Sequence, residues 1–247
     1  MRAVFGLFLL VAASSAYVIG DAPLLGNDID DLVTAALEYV RSLLIKHNPY
    51  SLPPMPNQHL VDTDVDLTIS AHEAKIKNAG DFTIDKISNN ATQLTASFSV
   101  TFPTPDISGI YNISGTAFQK KVEGKGVFVT DVNKLVQSGD IQFGIVNNSL
   151  QITSLNLDYS IGGIQNMVTG LTIDDLDEED IDRILNNELL AYLTYRKPLV
   201  TEKVGAHIKE IVNALLNGKS VDEVIQWLKQ LVASTPDPLP YTFPPSM

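Results

Sequence analysis

The chain contains no cysteine among its 247 residues. That removes disulfides, thiol nucleophiles and every thiolate metal site together. Basic residues are scarce: Lys and Arg number 17 against 29 Asp and Glu, a net charge of −12. An acidic surface of this kind repels phosphate backbones and anionic headgroups, so nucleic acid is not an expected partner. The four histidines, His47, His59, His72 and His207, show no ligand spacing. No apolar run after the N-terminus is long enough to span a bilayer, so stable membrane insertion is not expected either.

The familiar catalytic and ion-binding motifs are missing too. Asp62, Asp64, Asp66, Ile69 and Glu73 match positions of a calcium loop, but Leu67 stands where the sharp turn needs glycine. Asp64 and its neighbours read better as the wet positions of a strand whose dry positions are Val65, Leu67 and Ile69. Gly218-Lys219-Ser220 has Asn213 where a phosphate loop needs its first glycine, and His72-Glu73 has Ile76 where a zinc protease needs its second histidine. No Gly-x-Ser-x-Gly elbow occurs. The acidic run Asp174 to Asp182 is read as the start of a helix, and Trp227 as a packing residue beside an apolar stripe. The expectation is a protein without enzymatic activity, cofactor or metal.

What is present begins with an address. Met1-Arg2, the apolar run Ala3 to Ala13 and the small residues Ser14-Ser15-Ala16 predict a secretory signal peptide over residues 1–16. Three sequons, at Asn90, Asn112 and Asn147, agree with an extracellular glycoprotein. Without disulfides such a protein relies on core burial, and a chain of this length buries about 70% of its unfolded surface.

Hydrophobic spacing divides residues 17–233, read as one domain, into three zones. Over Asp28 to Lys46 apolar residues recur by threes and fours, which predicts a helix with Asp28, Asp30 and Asp31 at its positive end. Ser51 to Pro56 reads as a proline-rich linker. From about Leu60 to Tyr159 the period becomes two. Leu94, Ala96, Phe98, Val100 and Phe102 share one face; Ile107, Tyr111 and Ile113 another dry set, with Asn112 outward; Ile141, Phe143 and Ile145 a third. Leu150, Ile152, Leu155, Leu157 and Tyr159 change phase near Ser154, which predicts a bulge there. Turn-like clusters at 78–81, 88–90, 103–106, 123–126, 138–140 and 147–149 suggest an up-and-down order.

Beyond Gly162-Gly163 the helical period returns. One stripe carries Ile181, Ile184, Leu185, Leu189, Tyr192 and Leu193. A second carries Val200, Val204, Ile208, Ile211, Val212 and Leu215 and stops at Asn217-Gly218. A third, capped by Ser220, carries Val221, Val224, Ile225, Leu228 and Leu231. Residues 234–247 form a proline-rich tail. The fold class is α+β, with a long, strongly curved antiparallel sheet and helices against its apolar face.

This layout resembles the arthropod tubular lipid-binding proteins: the juvenile hormone-binding and takeout carriers and, more closely, the mite group 7 allergens. The residues that carry the likeness are Asp28-Ile-Asp-Asp-Leu32, the strand pair reaching Leu155 to Tyr159, Ile161-Gly-Gly163 and the two closing helices. The resemblance implies a curved sheet wrapped round a long helix, enclosing an apolar tunnel or groove. The hormone carriers have an N-terminal cysteine pair that this chain lacks, which favours the group 7 side. From dry-face parity the expected ligand wall is Phe98, Phe102, Ile113, Phe143 and Leu157 on the sheet, with Ile184, Val204, Ile208 and Ile211 facing them. The function implied is a secreted carrier of a hydrophobic small molecule or lipid, with a protein receptor left open. Two rivals share the pattern: an extracellular module recognising microbial lipid, and a filled-core interaction protein.

Overall fold

A computed structural model of the chain describes residues 26–90 and 92–233. The expected leader at 1–16 and tail at 234–247 lie outside them.

Helix α1 spans Gly26–Lys46, as the threes-and-fours spacing predicts. The strands follow: β1 Tyr50–Ser51, β2 Met55–Asp62, β3 Val65–Lys77, then, past a short 3-10 turn at Ala79–Asp81, β4 Thr83–Asn90, β5 Thr95–Phe102, β6 Asp106–Ala117, β7 Lys120–Val146, β8 Ser149–Val168 and β9 Leu171–Ile173. They form one antiparallel, curved, open sheet. Its spine is β7, 27 residues long. Along one edge of β7 the first half pairs with β6 and the second half with β5; along the other edge lie β9 and then β8. β5 therefore lies end to end with β6 rather than beside it, so the strand order departs from plain up-and-down at this point. The β4–β5 hairpin extends the sheet at one end, and β2 and β3 extend it at the other.

Several turn-like clusters are in fact strand interior, and the reason is space. Glu123-Gly-Lys-Gly126 lies in β7; a Cβ on Gly124 would sit 2.7 Å from the Tyr111 hydroxyl, and one on Gly126 would sit 2.1 Å from the Thr169 carbonyl. Ser138-Gly-Asp140 is likewise within β7, where a Cβ on Gly139 would come 2.8 Å from the Phe98 ring. Glycine serves close approach in these places, not reversal. The proline-rich stretch also contributes: β2 starts at Met55 and carries Pro56, which an edge strand tolerates. Ser88 to Asn90 belong to β4, and β8 runs through Gly162-Gly163 rather than ending at Tyr159. The Asn147-Asn148 turn is as expected, a two-residue hairpin loop with φ of 50° and 62°.

The C-terminal helices are α2 Glu178–Arg183, a π-helical turn Ile184–Glu188, α3 Leu189–Tyr195, α4 Lys197–Leu216 and α5 Val221–Ala233. Asp177 caps α2 by accepting from the Asp180 amide at 2.9 Å. Gly218, at φ +75°, follows the end of α4. Ser220 and Glu223 then form a reciprocal capping box at the start of α5.

The core gathers at one end of the sheet. Val33, Leu37 and Leu44 of α1 meet Phe98, Phe102, Phe143 and Ile152 of the sheet, with Ile208, Val212 and Leu216 of α4 and Val224 and Leu228 of α5. Trp227 packs against this cluster, half-buried. Val204 departs from its expected stripe and is 47% exposed. The buried position in that turn is Gly205, which faces Leu155 and Leu157 of β8.

Candidate functional site: the inner face and its strap

A single side-chain parity cannot hold one face along strands this long, and bulges reset it. In β3 the register shifts between His72 and Lys75, with Glu73 at φ 52°. Inward residues change there from Val65, Leu67, Ile69 and Ala71 to Ala74 and Ile76. In the middle of β7 and β8, Lys134 and Gly162 leave the ladder together, Lys134 at φ 50°. Inward positions change there from Val132 and Ile164 to Leu135 and Ile161. In β8 the ladder passes from Gln142–Ser154 to Phe143–Ile152, leaving Thr153 as the extra residue, beside the position where phase slip predicts a bulge. Helix α4 answers the freed backbone. Ile152 N–H donates to Asn213 Oδ1 at 2.7 Å, and Lys209 Nζ donates to the Thr153 carbonyl at 2.6 Å.

The inner face so formed has two unlike halves. The half against α1 and α5 is closed: Phe98, Phe102, Phe143 and Ile208 are each 2–3% exposed. In the other half Tyr111 of β6 and Val122 of β7 are buried, at 6% and 5% exposed, and the remaining apolar residues are half-buried. They are Val65, Leu67 and Ile69 of β3, Ile113 of β6, Phe128 and Val132 of β7, and Ile161, Ile164 and Val168 of β8. Opposite them runs the segment 178–196, with Ile181, Ile184, Leu185, Leu189 and Leu193, and no residue of α2, the π turn or α3 is fully buried. The sheet and this segment each present a set of half-buried apolar residues.

This segment is strapped across the inner face at both ends. At the β8 end Asn166, 7% exposed, accepts from Thr130 Oγ1 at 2.8 Å and donates to the Leu185 carbonyl at 2.7 Å. Asn186 exchanges two further bonds with the Asn166 backbone, at 2.5 and 3.2 Å. The π turn thus holds its extra residue where side chain and strand backbone interlock. Tyr159 Oη donates to the Leu193 carbonyl at 2.9 Å, and burial raises its pKa. At the far end Arg196 Nη2 meets Asp62 Oδ2 of β2 at 2.7 Å. Tyr192 lies edge-on to Phe118 of the β6–β7 turn, ring centroids 6.1 Å apart. Asp62, the first residue of the calcium-like run, is thus an anchor of the strap, and Asp66 pairs with His59 at 2.6 Å.

Of the nine wall residues expected from parity, the structure puts Ile113 and Ile184 in the open half. Leu157 is half-buried against the closed core, Ile211 is half-buried on α4, Phe98, Phe102, Phe143 and Ile208 lie inside the core, and Val204 is 47% exposed. Sequence reasoning missed the strap anchors Asp62, Asn166, Asn186 and Arg196, whose partners across the strap–sheet contact lie 19 to 134 positions away along the chain and leave no local signal.

The model of the haemolymph juvenile hormone binding protein family matches residues 27–226. The chain belongs to that family. The match covers α1, the whole sheet, the strap, α4 and the first part of α5, so the family's unit includes both halves of the inner face. Among solved structures, the chain is similar to Takeout 1 of Epiphyas postvittana, at 13% identity and a TM-score of 0.47, over 83% of this chain and 88% of that one. It is also similar to a lipopolysaccharide binding protein, at 14% identity and a TM-score of 0.28, over 73% of this chain and 40% of that one. A search of curated proteins returns no match. Among the described residues, no helix is long and apolar enough to cross a membrane.

Proposed function

We propose that this protein is a secreted, non-enzymatic carrier that holds an apolar small molecule or lipid between the sheet and the 178–196 strap. The observation that carries the reading is the two sets of half-buried apolar residues, one on the open half of the sheet and one on the strap, in a molecule whose other half is closed. Ile113 and Ile184 line the ligand; Leu157 and Ile211 end the channel; Phe98, Phe102, Phe143 and Ile208 brace it from the core. The family's name specifies juvenile hormone. The cysteine pair that the resemblance attaches to hormone carriers is absent here, so the ligand class proposed is the wider one of apolar molecules. Secretion is supported by residues 1–16 and by the exposed positions of Asn90, Asn112 and Asn147, each proposed to accept a glycan.

Apolar transfer contributes about 25 cal/mol per Å². A fatty-acid-sized ligand hiding a few hundred Å² therefore gains several kcal/mol before ordering costs, which corresponds to roughly micromolar binding. The test is titration of delipidated protein with an environment-sensitive apolar dye, followed by displacement with long-chain lipids. Saturable, displaceable binding supports the carrier reading; no binding of dye or lipid sinks it and favours a filled-core interaction protein.

A further inference from the structure

The β6–β7 hairpin turns on Phe118 and Gln119, at φ 51° and 65°, between Ala117 and Lys120, which pair in the ladder. A two-residue turn with both φ positive favours glycine, asparagine or aspartate, and a bulky ring is costly there. Phe118 nevertheless occupies it and is 60% exposed, so burial recovers little of the backbone cost. Its N–H donates to the Asp64 carbonyl at 2.7 Å, which sets the apex of this hairpin beside that of β2–β3. Near the end of β2, Leu60 and Val61 are 42% and 57% exposed, and Tyr195, at the end of α3, is 76% exposed. The strap contacts draw these pieces together. Tyr192 lies against Phe118, and Arg196, held by Asp62, has its guanidinium 5.4 Å from the Tyr195 ring centre. Three separate stretches of chain thus bring exposed apolar surface to one end of the molecule. Leu60 continues it inward, since its ladder partner is Leu67 of the open half.

The charges at this end are already matched. Lys120, Lys121, Arg196 and His59 are paired with Asp175, Glu123, Asp62 and Asp66. No sequon falls among these residues. At the other end of β7 the exposed Ile145 and Val146 stand directly before the Asn147 sequon instead.

We propose that this end docks reversibly on a zwitterionic lipid surface, with Phe118, Tyr195, Leu60 and Val61 in the headgroup layer. Tyrosine rings settle at that depth, and apolar neighbours strengthen such contact by the area they bury. Cations already paired within the protein gain nothing from anionic lipid, and the acidic chain is repelled by it. The proposal goes beyond the carrier reading and does not depend on it: dye titration tests that one, vesicles test this one.

The experiment is co-sedimentation of the full-length protein with phosphatidylcholine vesicles and with phosphatidylserine-rich vesicles, for the wild type, Phe118→Asn and Ile145→Ser. The wild type should sediment with phosphatidylcholine and less with phosphatidylserine. Asparagine suits the turn, so Phe118→Asn should keep or raise the melting midpoint. Its partitioning should nevertheless fall by roughly tenfold, the worth of about 50 Å² of apolar surface. Ile145→Ser should partition like the wild type. The proposal is overturned if the wild type ignores phosphatidylcholine, if it prefers phosphatidylserine, or if Phe118→Asn partitions unchanged. An equal loss in Ile145→Ser overturns it too, because the contact would then not belong to this end. A concentration-dependent dimer that Phe118→Asn abolishes, without vesicle binding, assigns the surface to a second copy of the chain and overturns it likewise. Should Phe118→Asn not fold, Tyr195→Ser makes the same test at a more exposed position: a loss of several-fold supports the proposal, and unchanged partitioning overturns it.

Discussion

Replacing Phe98 and Ile184 by alanine should produce opposite defects. Phe98 is 2% exposed, enclosed by the core cluster and by Gly139, whose missing side chain leaves room for the ring. Truncation removes the ring from a site that the neighbouring strands cannot collapse to fill, at a cost of about 3–5 kcal/mol. For a domain of this size each kcal/mol moves the melting temperature by about 2–4 °C, so the midpoint should fall by about 6–20 °C. Ligand affinity of the folded fraction should change less than about twofold, because the ring faces core and not channel. Ile184 is half-buried in a turn with no fully buried residue. Its truncation should lower the midpoint only slightly. If it gives up about 50 Å² of contact with ligand, the loss is about 1.3 kcal/mol, or roughly tenfold in affinity. Thermal melts and dye displacement on both variants read the two quantities separately. The reasoning is refuted if Phe98→Ala weakens binding without loss of stability, or if Ile184→Ala unfolds the protein and leaves affinity untouched.

Other substitutions probe the devices that shape the inner face. Gly115 has φ +141° and a Cβ there would lie 2.1 Å from the Asp66 carbonyl, so Gly115→Ala should cost about 1–3 kcal/mol in denaturant unfolding. Asn166→Ala leaves the Leu185 carbonyl and the Thr130 hydroxyl without their partner. It should cost about 1–3 kcal/mol and speed limited proteolysis within residues 178–195. The Ser220 amide and hydroxyl hold the Glu223 carboxyl below its ordinary pKa. A depressed folded pKa contributes stability that is full at neutral pH and is lost as pH falls through the lowered value. Glu223→Gln should flatten that part of the acid limb in urea titrations across the carboxylate range; an unchanged limb contradicts the capping role.

The parts of this fold legible in the sequence are those governed by short spacing. The alternation of Thr95–Phe102 reproduces its burial residue by residue, the slip near Ser154 marks the Thr153 bulge, and Ser220 and Gly218 mark helix ends. Glycine misleads because its two uses look alike in one dimension. Gly124, Gly126 and Gly139 resemble turn residues until the strands that crowd them are in place. The candidate wall was half legible for a related reason. Parity tells which side of the sheet Phe98, Phe143 and Ile113 face, and it is right for each. It does not tell which helix covers them, and that depends on where α1 docks and on how the strap is pinned by Asn166 and Asp62. Val204 shows the same limit on a helix: a stripe spaced by fours includes it, while Gly205 is the residue that faces β8.

The central claim is that one half of the inner face is closed core and the other holds the ligand. Amide hydrogen exchange on the delipidated protein, with and without saturating long-chain lipid, tests it most directly. The account expects slowed exchange in 65–71, 107–117, 159–168 and the strap 178–196, and unchanged exchange in α1 and β5. Protection spread evenly over α1, β5 and the strap, or confined to α1 and β5, would contradict it.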